Sequence, residues 1–179
     1  MRKLVESTFL TLDGVISDPQ VWGMPYWDEE HDEYSRRLLF SADALLLGRK
    51  TYEAFAQAWS PRAGSSDFAD RFNELPKYVA SRTLPPGEAE WNATVLGDEL
   101  VESVAALKDQ PGENIQKYGT GELSQTLLEH KLVDEYHFWL FPEVVGEGDQ
   151  LFEGFRASLE LVGTTRFGSG IVVLRYAPK

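Results

Sequence analysis

Cysteine is absent from this 179-residue chain, which excludes disulfides, a thiol nucleophile and any thiolate-ligated metal. Histidine is scarce. His31, His130 and His137 are too scattered for metal-ligand spacing, so packed or solvated rings and no metal are expected. Basic residues are few: 17 Lys and Arg stand against 29 Asp and Glu, a net charge of −12. A pI near 4.7 argues against nucleic acid as a partner, because that binding runs on phosphate neutralisation. It argues equally against an anionic membrane surface. Like charges form no continuous block, so the acidity reads as a device for solubility. Apolar runs never approach the ~20 residues that span a bilayer. The first residues carry Arg2, Lys3 and Glu6 but no apolar leader segment, and a soluble cytoplasmic protein is expected. A G-x-S-x-G nucleophile elbow is also missing.

What remains is a packed globule, with 42% hydrophobic and 12% aromatic residues. A chain of this length buries about 70% of its unfolded surface, and 1–179 reads as one domain. Strands are expected at 4–12, 42–47, 77–80, 94–96, 114–118 and 133–141. Helices are expected at 28–40, 51–59, 68–73, 100–108 and 121–131, with a long ordered loop over 15–27. Gly168-Ser169-Gly170 joins two terminal strands, 158–167 and 171–176, as a hairpin. This alternation predicts an α/β fold with a mostly parallel central sheet, an antiparallel C-terminal hairpin and helices on both faces.

The densest chemistry lies where an apolar run meets a helix. Ala44-Leu45-Leu46-Leu47 leads into Gly48-Arg49-Lys50-Thr51-Tyr52-Glu53. A strand that enters a helix through glycine presents backbone N–H groups to an anion. Gly48 leaves room for a phosphate, Arg49 offers a planar fork and Lys50 a point charge. Thr51 can cap the helix or donate its hydroxyl. Alone, the stretch also reads as an ordinary turn with solvated cations. Similar turns follow at Ala80-Ser81-Arg82-Thr83, which alone reads as a surface turn after a strand, and at Tyr118-Gly119-Thr120-Gly121-Glu122. Position 124 is Ser, so the last turn lacks the full G-x-G-x-x-G fingerprint and stays open between a tight connection and a pyrophosphate cradle. All three turns follow strands, and ligands of open α/β sheets collect at the carboxyl ends of strands. Together they point to one crevice and a phosphorylated cofactor, most simply a dinucleotide. Trp22, Tyr26 and Trp27 either stack on a flat heterocycle or pin their loop to the core. Phe138, Trp139 and Phe141 form a stripe suited to core or to a dimer interface.

These turns resemble those of the dihydrofolate-reductase-like fold, and more closely the reductase domain of the bifunctional riboflavin-biosynthesis deaminase–reductase. Leu12-Asp13-Gly14-Val15, Leu132-Val133-Asp134-Glu135, Pro142-Glu143-Val144-Val145-Gly146-Glu147-Gly148 and Leu151-Phe152 extend the likeness over nearly the whole chain. The resemblance implies that Gly48, Arg49, Lys50, Thr51, Ser81 and Arg82 hold the adenosine side of NADPH, with the cations near its 2′-phosphate. Gly119, Thr120 and Gly121 would hold the pyrophosphate, with Glu122 and Leu123 opening the next helix. The first strand's end and the following loop, about 13–27 and including Asp13, Trp22, Tyr26 and Trp27, would cover nicotinamide and substrate.

Trp27 and Asp32, with Gly48 sixteen residues beyond the acid, also match the spacing of a true dihydrofolate reductase. Asp32 would then be the catalytic acid that orients substrate or relays a proton through water. Asp28, Glu29, Glu30 and Glu33 crowd the same segment, so Asp32 reads equally as part of a solvated helix start favoured by the helix dipole. Asp28-Glu29-Glu30-His31 also stands where the family places a proline-containing turn. The implied function is an NADPH-dependent reductase that transfers a hydride to a small pterin- or pyrimidine-like heterocycle, working as a homodimer. Two other readings remain: a non-catalytic nucleotide- or flavin-binding protein, and a structural homodimer without ligand.

Overall fold

Leu45, Leu46 and Leu47 are all fully buried on β2 (Ala42–Gly48), because layers of side chains cover that strand on both faces. The computed structural model describes residues 1–154 and 156–179. The remaining strands are β1 (Leu4–Leu10), β3 (Lys77–Ala80), β4 (Gly87–Ala89), β5 (Ala93–Leu96), β6 (Asn114–Tyr118), β7 (Glu135–Leu140), β8 (Leu159–Arg166) and β9 (Val172–Pro178). They join in one sheet of order β4-β5-β3-β2-β6-β1-β7-β9-β8. The centre, β5-β3-β2-β6-β1-β7, is parallel throughout. Antiparallel pairs close both edges, β4 on β5 and the β8–β9 hairpin on β7.

The helices are α1 (Pro19–Trp22), α2 (Glu29–Phe40), α3 (Arg49–Trp59), α4 (Asp67–Glu74), α5 (Leu100–Asp109) and α6 (Glu122–Glu129). On one face, Val104 and Leu107 of α5 and Leu127 and Leu128 of α6 pack on Leu4, Leu46, Ile115, Tyr136 and Phe138. On the other, Tyr34 and Leu38 of α2 meet Val5, Trp139 and Phe141, while Tyr52 and Phe72 cover Leu45, Leu47 and Val79. The alternation of Tyr136 and Phe138 with Trp139 and Phe141 between these layers follows from the two-residue period of a strand. No helix is long and apolar enough to cross a membrane among the described residues.

Differences from the sequence expectation are local. β4 carries no apolar signal (Gly-Glu-Ala) and exists through its pairing with β5. The expected loop at 15–27 contains α1 and a 3-10 turn at Met24–Tyr26. α3 starts at Arg49, two residues earlier than expected, because Gly48 stays extended and itself serves as the N-cap. Arg49, Lys50 and Thr51 therefore sit in the first helical turn.

Candidate functional site

Strand register brings the three turns to one level of the sheet. Gly48 pairs with Ala80 and Leu47 with Tyr118, so β2, β3 and β6 release their turns side by side, while β1, whose Ser7 pairs with Tyr118, runs on to Leu10. A cleft of about 1400 Å³ opens there. All of Gly48, Arg49, Lys50, Thr51, Ser81, Arg82, Gly119, Thr120, Gly121, Glu122 and Leu123 line it.

The local chemistry suits an anion. The first backbone N–H groups of a helix have no partner inside it. In α2 and α4 a side chain caps them, Asp28 accepting from the His31 N–H and Ser66 from the Ala69 N–H. α3 and α6 begin instead at Gly48 and Gly121, with no side-chain cap, and both open onto the cleft. Gly119 has φ +76°, and a Cβ there would lie 2.5 Å from Thr51 Oγ1, so glycine lets the β6 turn approach α3 closely. Thr8 Oγ1 and Thr120 Oγ1 lie 2.6 Å apart, tying that turn to β1. Arg49 donates to Glu53 at 3.1 and 3.2 Å, and Arg82 pairs with Glu122 across the cleft. Lys50 has no ion-pair partner among the described residues.

Several lining residues were not foreseen. Gly97, Asp98, Leu100, Val101 and Glu102 bring the start of α5 to the rim. They follow the carboxyl end of β5, so the rule that located the other turns applies to them as well. Ile16, from the segment expected to cover the nicotinamide, and the unforeseen Asp149, Gln150, Phe152 and Glu153 form the far wall. That wall is two interlocked segments: Ile16 N–H donates to Asp149 O, Leu151 N–H to Gly14 O, and Leu12 N–H to Glu143 O. Sequence offers no sign of this pairing, since the partners lie more than a hundred residues apart.

Asp13, Trp22, Tyr26, Trp27 and Asp32 are not brought into the cleft lining. Asp13 accepts from Thr11 Oγ1 at 2.6 Å and from Gly146 N–H at 2.8 Å, bonds that hold its carboxyl below the usual range. Tyr26 donates to Glu143 at 2.5 Å. Both clamp the far wall from behind. The Trp22 indole is buried edge-on against Phe141 and donates to Ser17 O. Trp27 covers His31 edge-on with its outer surface exposed. These rings pin the loop. The Asp32 side chain is 77% exposed and 3.9 Å from His31 Nδ1. The space between α2, β1 and β7 beside it is filled by Phe9, His31, Tyr34, Trp139 and Phe141.

His31 inside this cluster gives the protein a predictable response to acid. Burial pushes its imidazole from the ordinary 6.5 down to about 4, against upward pulls from Asp32 and Asp28. The unfolded chain therefore binds the extra proton between those values. The stabilising contribution is complete above the ordinary value and is lost as pH falls towards 4, by about 3 kcal/mol in all. Thermal unfolding from pH 7 to 4 should show a shallower decline in His31→Phe than in the parent. His137, also depressed by burial, keeps some slope in the variant. Equal slopes in both proteins would contradict the assignment.

The RibD C-terminal domain family model matches residues 2–173. The chain belongs to that family. A RibD C-terminal domain of this kind supports a reductase-like role. The chain is 32% identical over 182 residues to the uncharacterised protein YyaP of Bacillus subtilis (strain 168), covering 98% of this chain and 94% of that one. In fold it is similar to a putative riboflavin biosynthesis protein from Shewanella sp. PV-4, with a TM-score of 0.77, 22% identity and 99% of each chain covered. A pyrimidine reductase-like protein from Corynebacterium diphtheriae superposes with a TM-score of 0.71 at 16% identity, over 99% of this chain and 92% of that one. The RibD-type architecture thus spans the sheet, the hairpin and the cleft.

Proposed function

We propose that this protein is an NADPH-dependent reductase of a small planar heterocycle of the pterin or pyrimidine class. One observation carries the reading: three turns from separate parts of the sequence meet in a single cleft, presenting two uncapped helix N-termini and the cations Arg49, Lys50 and Arg82. The strand order puts those cations on the β2–β3 side and the glycine turn on the β6 side. An extended anionic cofactor fits across them, with its 2′-phosphate by the cations and its pyrophosphate at Gly119-Thr120-Gly121. Bound there, NADPH supplies a hydride for a C=N or C=O carbon. The chain's own residues bind and orient. Ile16 and Phe152 of the far wall offer apolar surface to a flat ring, and Gln150 offers an amide. Family membership supports the reductase class, and the similar pyrimidine reductase-like fold makes pyrimidines the first substrates to screen.

The test is a tryptophan-to-nicotinamide fluorescence titration with NADPH and NADH. Saturable binding with preference for NADPH is expected. Arg49→Ala with Arg82→Ala should weaken NADPH about 30-fold and NADH far less, as expected for two charge-assisted contacts to one phosphate. Equal losses for both cofactors would refute the 2′-phosphate assignment. NADPH binding without turnover on any pterin or pyrimidine would favour the non-catalytic reading.

A further inference from the structure

Beneath the glycine turn lies a charged group that the cofactor reading does not use. Lys117, on β6, is 1% exposed and is one of the residues that line the cleft. Its ammonium donates to the Gly119 carbonyl and, at 2.7 Å, to Ser124 Oγ on α6. Ser124 Oγ donates in turn to Glu6 Oε1 at 2.8 Å, and Glu6 Oε2 stands 3.4 Å from Lys117 Nζ. Glu6 is itself fully buried, on β1. Register places Lys117, Glu6 and Tyr136 on one rung of β6, β1 and β7. Among the described residues, Glu6 Oε2 and the Tyr136 hydroxyl are both buried without a hydrogen-bond partner.

A buried ion pair is a costly way to stabilise a sheet. Similar-sized apolar residues usually do as well or better, whereas loss of one partner strands a charge. Burial pushes the Lys117 ammonium down from its ordinary pKa, and Glu6 opposes that. The contact that distinguishes this pair from a substitutable core element is the bond to Gly119, the one turn residue whose positive φ brings it against Thr51.

We propose that Lys117 is a positioning residue for the glycine turn. It fixes the Gly119 carbonyl from below, so that the N–H groups of the following residues stay directed at the cleft. Glu6 supplies the counter-charge that keeps the ammonium there, and Ser124 only bridges the two groups. The functional part of this inference rests on the cofactor reading given above. Its structural part, a turn locked from inside the core, does not.

The test uses variants that remove both charges. In Glu6→Gln/Lys117→Met, Ser124 can still donate to the residue 6 carbonyl oxygen, and no ion is stranded. Its melting temperature should stay within about 4 °C of the parent, since the pair is near neutral in stability. Amide hydrogen exchange over residues 118–123 should rise about tenfold, and the NADPH dissociation constant should rise by a similar factor, the scale of one well-placed hydrogen bond. Ser124→Ala should lower the melting temperature while leaving exchange in the turn near the parent rate. Should the first double variant fold poorly, Glu6→Leu/Lys117→Met provides an all-apolar pair for the same measurements. Parent-like exchange in a folded charge-free variant would overturn the proposal, as would equal loosening by Ser124→Ala. If the parent binds no NADPH, the cofactor reading fails, and the exchange result still decides what Lys117 does.

Discussion

Trp139→Ala should remove about 3–5 kcal/mol of folding stability, at the upper end for a single core truncation. Trp139 is 1% exposed at the penultimate position of β7. Its ring packs against Phe9 at 5.1 Å, His31 at 4.9 Å, Tyr34 at 4.9 Å and Phe167 at 5.6 Å, measured between centroids. Those partners belong to β1, α2 and the turn of the β8–β9 hairpin, so one side chain ties three elements to the sheet. Its indole N–H donates to Ser7 Oγ at 3.0 Å, and truncation leaves that hydroxyl buried without its donor. The loss therefore combines a cavity, missing edge-on ring contacts and an unsatisfied polar group. Trp139→Phe keeps most of the ring and should cost about half as much. For a domain of this size the alanine variant should melt about 10 °C below the parent or lower. A drop under about 3 °C would mean the cluster collapses freely around the gap. Since Trp139 lies outside the cleft lining, the folded variant should bind NADPH as the parent does.

The same ring cluster shows where sequence reading reaches its limit. Trp27, Asp32 and Gly48 have the linear spacing of a folate site, yet spacing along a helix does not fix which way a residue faces. Asp28 caps α2, and His31, Tyr34 and Leu38 then form its buried stripe. At about 100° per residue, Asp32 falls off that stripe and into solvent. Phe9, Trp139 and Phe141 fill the space an inward acid would need, and their meeting depends on β1, β7 and α2 being neighbours. That is tertiary information.

The glycine and cation turns were legible for the opposite reason. Each is a local event, a strand ending in a glycine or small residue, before a helix after β2 and β6 and before the β4 strand after β3, and the carboxyl-end rule gathers such turns without knowledge of strand order. Lys117 was hidden by its own pattern. In Asn114-Ile115-Gln116-Lys117-Tyr118 a lysine between polar and aromatic residues reads as a surface charge on a short strand. Its partner Glu6 sits in another short strand of mixed character, and only the parallel pairing of β1 with β6 turns two apparent surface charges into a buried pair. The far wall was hidden in the same way, as backbone bonds between loops distant in sequence.

Gly119→Ala should separate the cofactor site from the fold most cleanly. Two independent costs meet at this residue. The backbone holds φ +76°, a region that costs alanine about 1–3 kcal/mol. The new methyl would also lie 2.5 Å from Thr51 Oγ1 and 3.5 Å from both Thr51 carbons. Thr51 is fixed in the first turn of α3, so the β6 turn has to give way. When it moves, it carries away the Gly119 carbonyl that Lys117 holds and the N–H groups at the start of α6. Global stability should fall by that local strain and by the hydrogen bond that Lys117 loses, because the apolar core beneath the turn keeps its packing. NADPH affinity should fall at least about tenfold, and NADH affinity with it, since both cofactors carry the pyrophosphate. This contrasts with the arginine variants, which should affect NADPH selectively. Adding Thr51→Ala to Gly119→Ala removes the collision but leaves the backbone strain. Recovery of affinity in the double variant would assign the loss to the collision with α3. No recovery, alongside a Thr51→Ala single variant that binds NADPH as the parent does, would assign it to the backbone of the turn. Parent-like NADPH binding by Gly119→Ala itself would remove the glycine turn from the cofactor site altogether.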